Sequence, residues 1–238
     1  MARIDGRAAD ELRPVEIIPN INKFAEGSCL IRCGNTHVIC CASVEEGAPR
    51  HVPEGTGWVT AEYSLLPRAN RERSRRDISK LKLSPRSAEI QRLSGRSLRA
   101  CVDMEKLGER TITVDCDVLQ GDGGTRTASV TGGFVALSLA LYKLVADGVL
   151  PEMPLKTCVA AVSAGIVGEE PLLDLCYEED SSAQVDLNCV MTGEGELVEL
   201  QGTGEGRPFT VEEQRALVDL CVKGIRQLQA IQRQALGG

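Results

Sequence analysis

Apolar and polar positions alternate along the chain in two rhythms, one of period two and one of period three to four, and their order predicts a mixed α/β protein. Between residues 14 and 44 short β-forming runs alternate with turn signals. Ser28–Arg32 and Val38–Val44 are the clearest runs, with Gly34-Asn35 between them as a hairpin turn. Trp58–Tyr63 reads as another short strand. Helical spacing of Ile90, Leu93, Leu98, Cys101, Val102 and Met104 predicts one helix over Ser87–Leu107, with Gly95 as a weak point and Gly108 as its stop. In Thr111–Leu119, Ile112, Val114, Cys116 and Val118 share one face while Thr113, Asp115 and Asp117 share the other, as in a strand with one buried side.

That strand runs into Gly121-Asp122-Gly123-Gly124-Thr125-Arg126-Thr127, and a helix is expected from Ala128 to Ala146. The helix is apolar nearly all round, with small residues at Ser129, Gly132, Gly133 and Ala136, so it belongs at the centre of the fold. After a linker punctuated by Pro151 and Pro154, strands are expected at Thr157–Ile166, Leu172–Tyr177, Gln184–Thr192 and Glu196–Gln201. A last helix follows from Thr210 to Gln234, opened by a capping box of Thr210 and Glu213. The expected architecture is a mixed-sheet α/β sandwich, one domain over residues 1–238, whose halves are similar in style without a fixed-period repeat.

Composition narrows the class. No run is expected to supply the roughly 18 apolar residues of a membrane span. The charged start Met1-Ala2-Arg3-Ile4-Asp5-Gly6-Arg7 lacks the apolar core of a signal peptide, so cytoplasm is the expected compartment and no membrane partner is expected. Of the ten cysteines, Cys40, Cys41, Cys116, Cys158 and Cys189 fall in β-rich runs, and Cys101 and Cys221 fall on apolar helical faces, where a free thiol acts as a small hydrophobe. With no C-x-x-C pair and only His37 and His51 as histidines, a zinc site is not expected.

The net charge of −7 conceals a strong asymmetry. Arg68 to Arg99 holds eleven Lys/Arg residues against Glu72, Asp77 and Glu89, a local charge of +8 that leaves −15 for the remainder. Such a block suits a phosphate backbone, and equally a solvated surface loop. Pro67 to Asp77 is polar, Arg-rich and aperiodic, as in a flexible arm. With only one Trp, three Tyr and three Phe, stacked bases cannot dominate RNA contact, so any such contact is backbone-led.

Two segments carry candidate chemistry. At the strand–glycine–helix junction, Gly121, Gly123 and Gly124 permit a sharp turn, the free N–H groups and positive dipole end of the helix face the loop, and Arg126 adds charge. This suits a phosphate, although such turns also serve packing, and the Gly-Lys-Ser/Thr ending of a nucleotide loop is missing. In the acidic segment, Val185, Leu187, Cys189 and Met191 alternate inward, so Asp186 and Asn188 face the other way, with Asp180 at the preceding turn. Two carboxylates there suit Mg²⁺ or Mn²⁺, or simply form an exposed acidic turn. Arg86, ahead of the helix from Ser87, is a third candidate for the same anion.

Taken together, Gly57-Trp58-Val59-Thr60-Ala61-Glu62-Tyr63, Glu89-Ile90-Gln91-Arg92-Leu93, Gly95-Arg96-Ser97-Leu98-Arg99-Ala100, Asp115 to Ser129, Val185 to Gly193 and Gln201 to Gly206 resemble the ribonuclease PH family over essentially the whole chain. The resemblance implies a phosphate-dependent 3′-to-5′ exoribonuclease, a tRNA nucleotidyltransferase that trims RNA 3′ ends, tRNA precursors among them, and releases nucleoside 5′-diphosphates. Inorganic phosphate would be the co-substrate, held by Arg86, Gly124, Thr125 and Arg126. Asp180 and Asp186 would be the catalytic pair, associated with Mg²⁺ or Mn²⁺. The arm with Arg68, Arg71, Arg73, Arg75 and Arg76, continued by Arg92, Arg96 and Arg99, would contact RNA, and the chain would form a homohexamer, a trimer of dimers. The chain departs from the family in Ser84-Pro85-Arg86-Ser87, where Gly-Arg-Thr is usual, in Gly121 in place of alanine, and in the segment from Asp77 to Leu83. Three other classes fit less well: a non-catalytic ring subunit, a two-metal hydrolase and a small-molecule phosphotransferase. Intact Arg126, Asp180 and Asp186 disfavour the first, the sparse carboxylates the second, and the missing lysine motif the third.

Overall fold

The computed structural model describes residues 3–76 and 82–238. Lys80 and Asp77 of the basic block, and most of the divergent segment from Asp77 to Leu83, lie outside the described residues.

The first half is built on the expected hairpin, with an additional strand before it. Strand β1 (Val15–Pro19), β2 (Gly27–Cys33), β3 (Thr36–Glu46), β4 (Trp58–Leu65) and β5 (Arg110–Gln120) form a sheet in the order β1-β2-β3-β5-β4. All its pairs are antiparallel except β4 with β5. The parallel pair needs a crossover, and α1 (Pro85–Ala100) supplies it, packing on β4. Ile112, Val114, Cys116 and Val118 are buried beneath the helices as their alternation predicts. Gly95 lies on the face of α1 that packs on β4, where a Cβ would meet the Ala61 backbone nitrogen in ordinary contact at 3.4 Å.

The helix expected over Ser87–Leu107 is two helices. α1 ends at Ala100 and a single turn, α2 (Met104–Leu107), follows. Between them Val102 bridges to Leu155, with the Asp103 N–H donating to the Pro154 carbonyl at 2.7 Å and the Lys156 N–H to the Cys101 carbonyl at 2.8 Å. These long-range bonds outcompete helix continuation, and the Asp103 carboxylate then caps α2.

Helix α3 (Thr125–Ala146) starts three residues earlier than expected and lies between the two sheets, against β2, β3 and β6. It is long and apolar enough to cross a membrane by length and composition, contrary to the sequence expectation, but most of it is buried inside the protein. Its Thr131 hydroxyl exchanges hydrogen bonds with the Ala161 backbone, fixing the helix on the second sheet.

That second sheet has the order β7-β6-β8-β9, from β6 (Val159–Val167), β7 (Glu170–Leu173), β8 (Val185–Thr192) and β9 (Leu197–Gly204), all antiparallel. The run expected as a strand over Leu172–Tyr177 ends at Leu173, and a single turn, α4 (Tyr177–Asp180), carries the chain to β8. Helix α5 (Val211–Ala235), with the expected Thr210/Glu213 capping box, packs on β6, β7 and β1. All ten cysteines are free, eight of them buried.

Candidate active site

Three element ends meet in one cleft of about 360 Å³: the N-termini of α1 and α3, and the stretch from α4 into β8. It is lined by Arg86, Gly124, Thr125, Arg126, Asp180 and Asp186, so the expected phosphate and acidic residues converge from opposite halves of the chain.

The glycine loop has its geometry for steric reasons. Gly123 has φ +76°, and a Cβ on it would lie 2.5 Å from the Leu175 carbonyl oxygen, so only glycine lets the loop pass this close to the segment entering α4. Gly124, also left-handed at φ +66°, opens α3 with no side-chain cap, leaving the N-terminal amides for an anion. Arg13 braces the loop from behind: its guanidinium donates to the Asp122 carbonyl at 2.5 Å and to the Asp174 carboxylate at 2.7 and 3.0 Å. Thr125 is buried, and its hydroxyl is hydrogen-bonded to the Tyr63 phenol at 2.8 Å.

Arg86 is the second residue of α1, within the helix and not ahead of it. Ser84 caps α1 by accepting from the Ser87 N–H at 3.0 Å, and Pro85 occupies the first turn. Ser-Pro-Arg-Ser is thus a regular helix start, with Arg86 presented at the mouth of the cleft.

Both aspartates are held above the usual carboxylate range. Burial and the neighbouring Asp180 charge push the Asp186 carboxyl up to about 6, against the opposing pull of Arg126 and a hydrogen bond from Asn188 Nδ2 at 3.2 Å. Burial likewise raises Asp180, partly offset by Arg86 and Arg126. Behind α4, Arg3 makes a bidentate pair with Glu179 at 2.6 and 2.8 Å and also donates to the Leu173 carbonyl, so the turn carrying Asp180 is anchored to the N-terminal segment.

A larger hollow of about 610 Å³ adjoins the cleft, sharing Arg86, Thr125 and Asp180 and bounded by Asn70, Arg71 and Tyr177. Arg71 reaches it by pairing with Glu178 at 2.7 Å and lying over the Tyr177 ring, while Arg68, Arg73, Arg75 and Arg76 are exposed along the arm. Arg92 is exposed on α1. The remaining two arginines of the expected RNA surface also have partners within the chain. Arg96 pairs with Glu199 at 2.7 Å. Arg99 lies over the Trp58 ring and donates to the Val59 carbonyl at 2.8 Å, roughly 20 Å along the helix from Arg86. Its contacts hold α1 to β4.

Tyr63, Arg13, Glu89, Gln201 and Ser163 also belong to the site, although no local sequence pattern singles them out. Glu89 and Gln201 hold Arg126, and Ser163, 4% exposed on β6, lines the cleft with a hydroxyl that has no hydrogen-bond partner among the described residues. Tyr63, Glu89 and Gln201 each lie in a stretch that carries the family resemblance, which is the one signal in the sequence that points to them.

The model described as 3′ exoribonuclease family, domain 1, matches residues 11–142, and that described as domain 2 of the same family matches 157–223. The chain belongs to the ribonuclease PH family. Among curated relatives, ribonuclease PH of Moorella thermoacetica is 59% identical over 238 residues, covering 100% of this chain and 95% of that one. Ribonuclease PH of Neisseria gonorrhoeae is 58% identical over 231 residues, covering 97% and 96%. The Archaeoglobus fulgidus exosome with RNA bound to the active site matches with a TM-score of 0.80 at 27% identity, covering 96% of this chain and 91% of that one. The activity implied by the motifs therefore stands: this ribonuclease PH family member is a phosphate-dependent 3′-to-5′ exoribonuclease.

Proposed function

We propose that the 360 Å³ cleft is where this chain performs phosphorolysis, with tRNA precursors among its substrates. The observation that carries the reading is the convergence of an uncapped helix N-terminus, two arginines and two carboxylates in one small space. Phosphate would rest on the α3 amides, Gly124, Thr125, Arg126 and Arg86. An oxygen of that phosphate attacks the last internucleotide phosphorus of the RNA, and the 3′ oxygen of the preceding nucleotide leaves and takes up a proton. Nucleoside 5′-diphosphate and RNA shorter by one nucleotide result.

The chain's own groups account for most of the demand. Two anions must meet, and Arg86, Arg126 and the α3 dipole offset their repulsion in a partly desolvated site. Tyr63 fixes the Thr125 hydroxyl, so the phosphate meets a preset donor. Asp180 and Asp186 line the same cleft and fit a divalent cation, Mg²⁺ or Mn²⁺, which their carboxylates would hold. A cation held by these two carboxylates would keep several waters. When bound, the cation would neutralise charge on the reacting phosphates.

The RNA end would enter through the adjoining hollow, its backbone drawn by Arg68, Arg71, Arg73, Arg75 and Arg76, with Arg92 beyond. The same reading includes a cytoplasmic homohexamer, for which light scattering should give six times the 25.6 kDa chain mass. Because one phosphoester-type bond replaces another, the reaction runs in both directions. Excess nucleoside diphosphate should therefore extend RNA 3′ ends and release inorganic phosphate; RNA that is shortened but never extended would defeat the scheme.

A further inference from the structure

Arg126 is held at one corner only. Its Nη1 donates to the Gln201 side-chain oxygen at 2.7 Å and to Glu89 Oε1 at 3.2 Å, and Gln201 Nε2 donates to the same Glu89 oxygen at 3.1 Å. The three residues come from α3, β9 and α1, and they close a small ring of hydrogen bonds spanning both halves of the chain. Nε and Nη2 of Arg126 make no hydrogen bond among the described residues. A guanidinium binds an oxyanion best through two parallel N–H groups, and the Nε/Nη2 edge is one such pair. The side chain of Arg126 is 16% exposed while that of Glu89 is 40% exposed, so the tether reaches inward from the rim to a largely buried cation.

We infer that Glu89 and Gln201 are positioning residues: they fix Nη1 of Arg126 so that its Nε/Nη2 edge faces the phosphate oxygens before phosphate arrives. The inference rests on the phosphorolytic reading of the cleft and extends it to two residues outside the phosphate contacts. An arginine has several rotatable bonds, and a free one would lose their freedom each time phosphate bound. A tethered one has already lost it. The expected signature is specific to phosphate affinity, because neither residue lines the hollow proposed for the RNA end.

The test is steady-state phosphorolysis of a 3′-tailed RNA by the full chain, with phosphate and RNA varied separately. Glu89→Ala and Gln201→Ala should each raise KM for phosphate roughly tenfold, the size of losing a hydrogen bond to a charged group. KM for RNA should stay within about twofold. Glu89→Gln, which keeps an oxygen for Arg126 and for Gln201, should recover most of the loss. Should Glu89→Ala fold poorly, Gln201→Ala on the sheet edge decides alone. Unchanged phosphate KM in the folded alanine variants would overturn the tether, as would equal rises for phosphate and RNA. Failure of Glu89→Gln to recover would also overturn it, in favour of simple charge compensation. A wild-type chain that releases nucleotides without phosphate would instead sink the underlying reading, so the two failures are distinguishable.

Discussion

At the scale of single residues, the cleft stores electrostatic strain. Asp186, raised from 3.8 to about 6, costs the fold stability whenever it is ionised and gives that cost back as pH falls through 6 toward the unfolded value. Asp186→Asn should therefore raise Tm at pH 7.5 in the absence of divalent cations, by an amount on the order of 2–3 kcal/mol of stability at most, while phosphorolysis is lost. A variant less stable than the parent in a thermal melt would show that Asp186 is held by contacts beyond Asn188. Arg126→Ala should lower phosphorolysis about 10²–10³-fold, as loss of one preorganised donor does, with RNA binding by filter retention nearly unchanged. Local pattern drew attention to the glycine turn with Arg126, to Arg86 at a helix start and to Asp180 and Asp186, with other readings open, while Thr125 and the role of each residue came from the family resemblance. No local pattern drew attention to Glu89 or Gln201. Their partner is 37 and 75 positions away in the chain, and no local pattern encodes a bond across that separation. Arg99, part of the block of positive charge, also lies over the Trp58 ring, a contact that no local pattern announces.

At the scale of elements, the site depends on how the glycine loop and α4 are held together. Asp174 sits at φ +53°, and this turn ends β7, where the sequence suggested a strand running on to Tyr177. The reason is remote: Arg13 donates to both carboxylate oxygens of Asp174 from across the chain. Burial alone would push Asp174 up, but the Arg13 charge and hydrogen bonds outweigh it and hold the carboxyl below its usual value. Glu179, also pushed up by burial, is likewise held down by its hydrogen bonds from Arg3 and Cys176. Depressed acids stabilise the fold above their unfolded pKa, about 4, and lose that contribution as pH falls through their folded values. Tm should therefore drop between pH 5 and pH 3. Asp174→Ala should cost about 3–5 kcal/mol at neutral pH, since it leaves Arg13 buried without its partner. Urea titration of this variant at pH 7 checks the claim, and a loss under 1 kcal/mol would contradict it. The break between α1 and α2 has the same origin, as the bridge of Val102 to Leu155 overrides a helical pattern that the sequence carries intact. Long buried elements with one-sided patterns, β5 and α3 above all, were legible to within a few residues because burial and periodicity agree there.

At the scale of the whole molecule, a basic arm is set on an otherwise acidic body. The segment from Arg68 to Arg99 carries +8 against −15 elsewhere, and the outer face of the first sheet bears Glu62, Asp115 and Asp117. Such a distribution concentrates RNA at the arm and repels it from the remaining surface. Replacing Arg68, Arg73, Arg75 and Arg76 together by alanine should weaken RNA binding and flatten its dependence on salt, by roughly 0.7 in log–log slope for each RNA phosphate that is no longer neutralised. KM for inorganic phosphate should not move in that variant; a large rise would mean that the arm also shapes the phosphate cleft.

That phosphate, and not water, breaks the RNA chain is the central claim for this molecule. The most direct measurement incubates the purified protein with a 3′-tailed RNA and Mg²⁺, with and without inorganic phosphate, and identifies the released nucleotide. Nucleoside 5′-diphosphates that appear only when phosphate is present are the predicted result. Nucleoside monophosphates released without phosphate would contradict it, as would a tail that stays intact in the presence of phosphate.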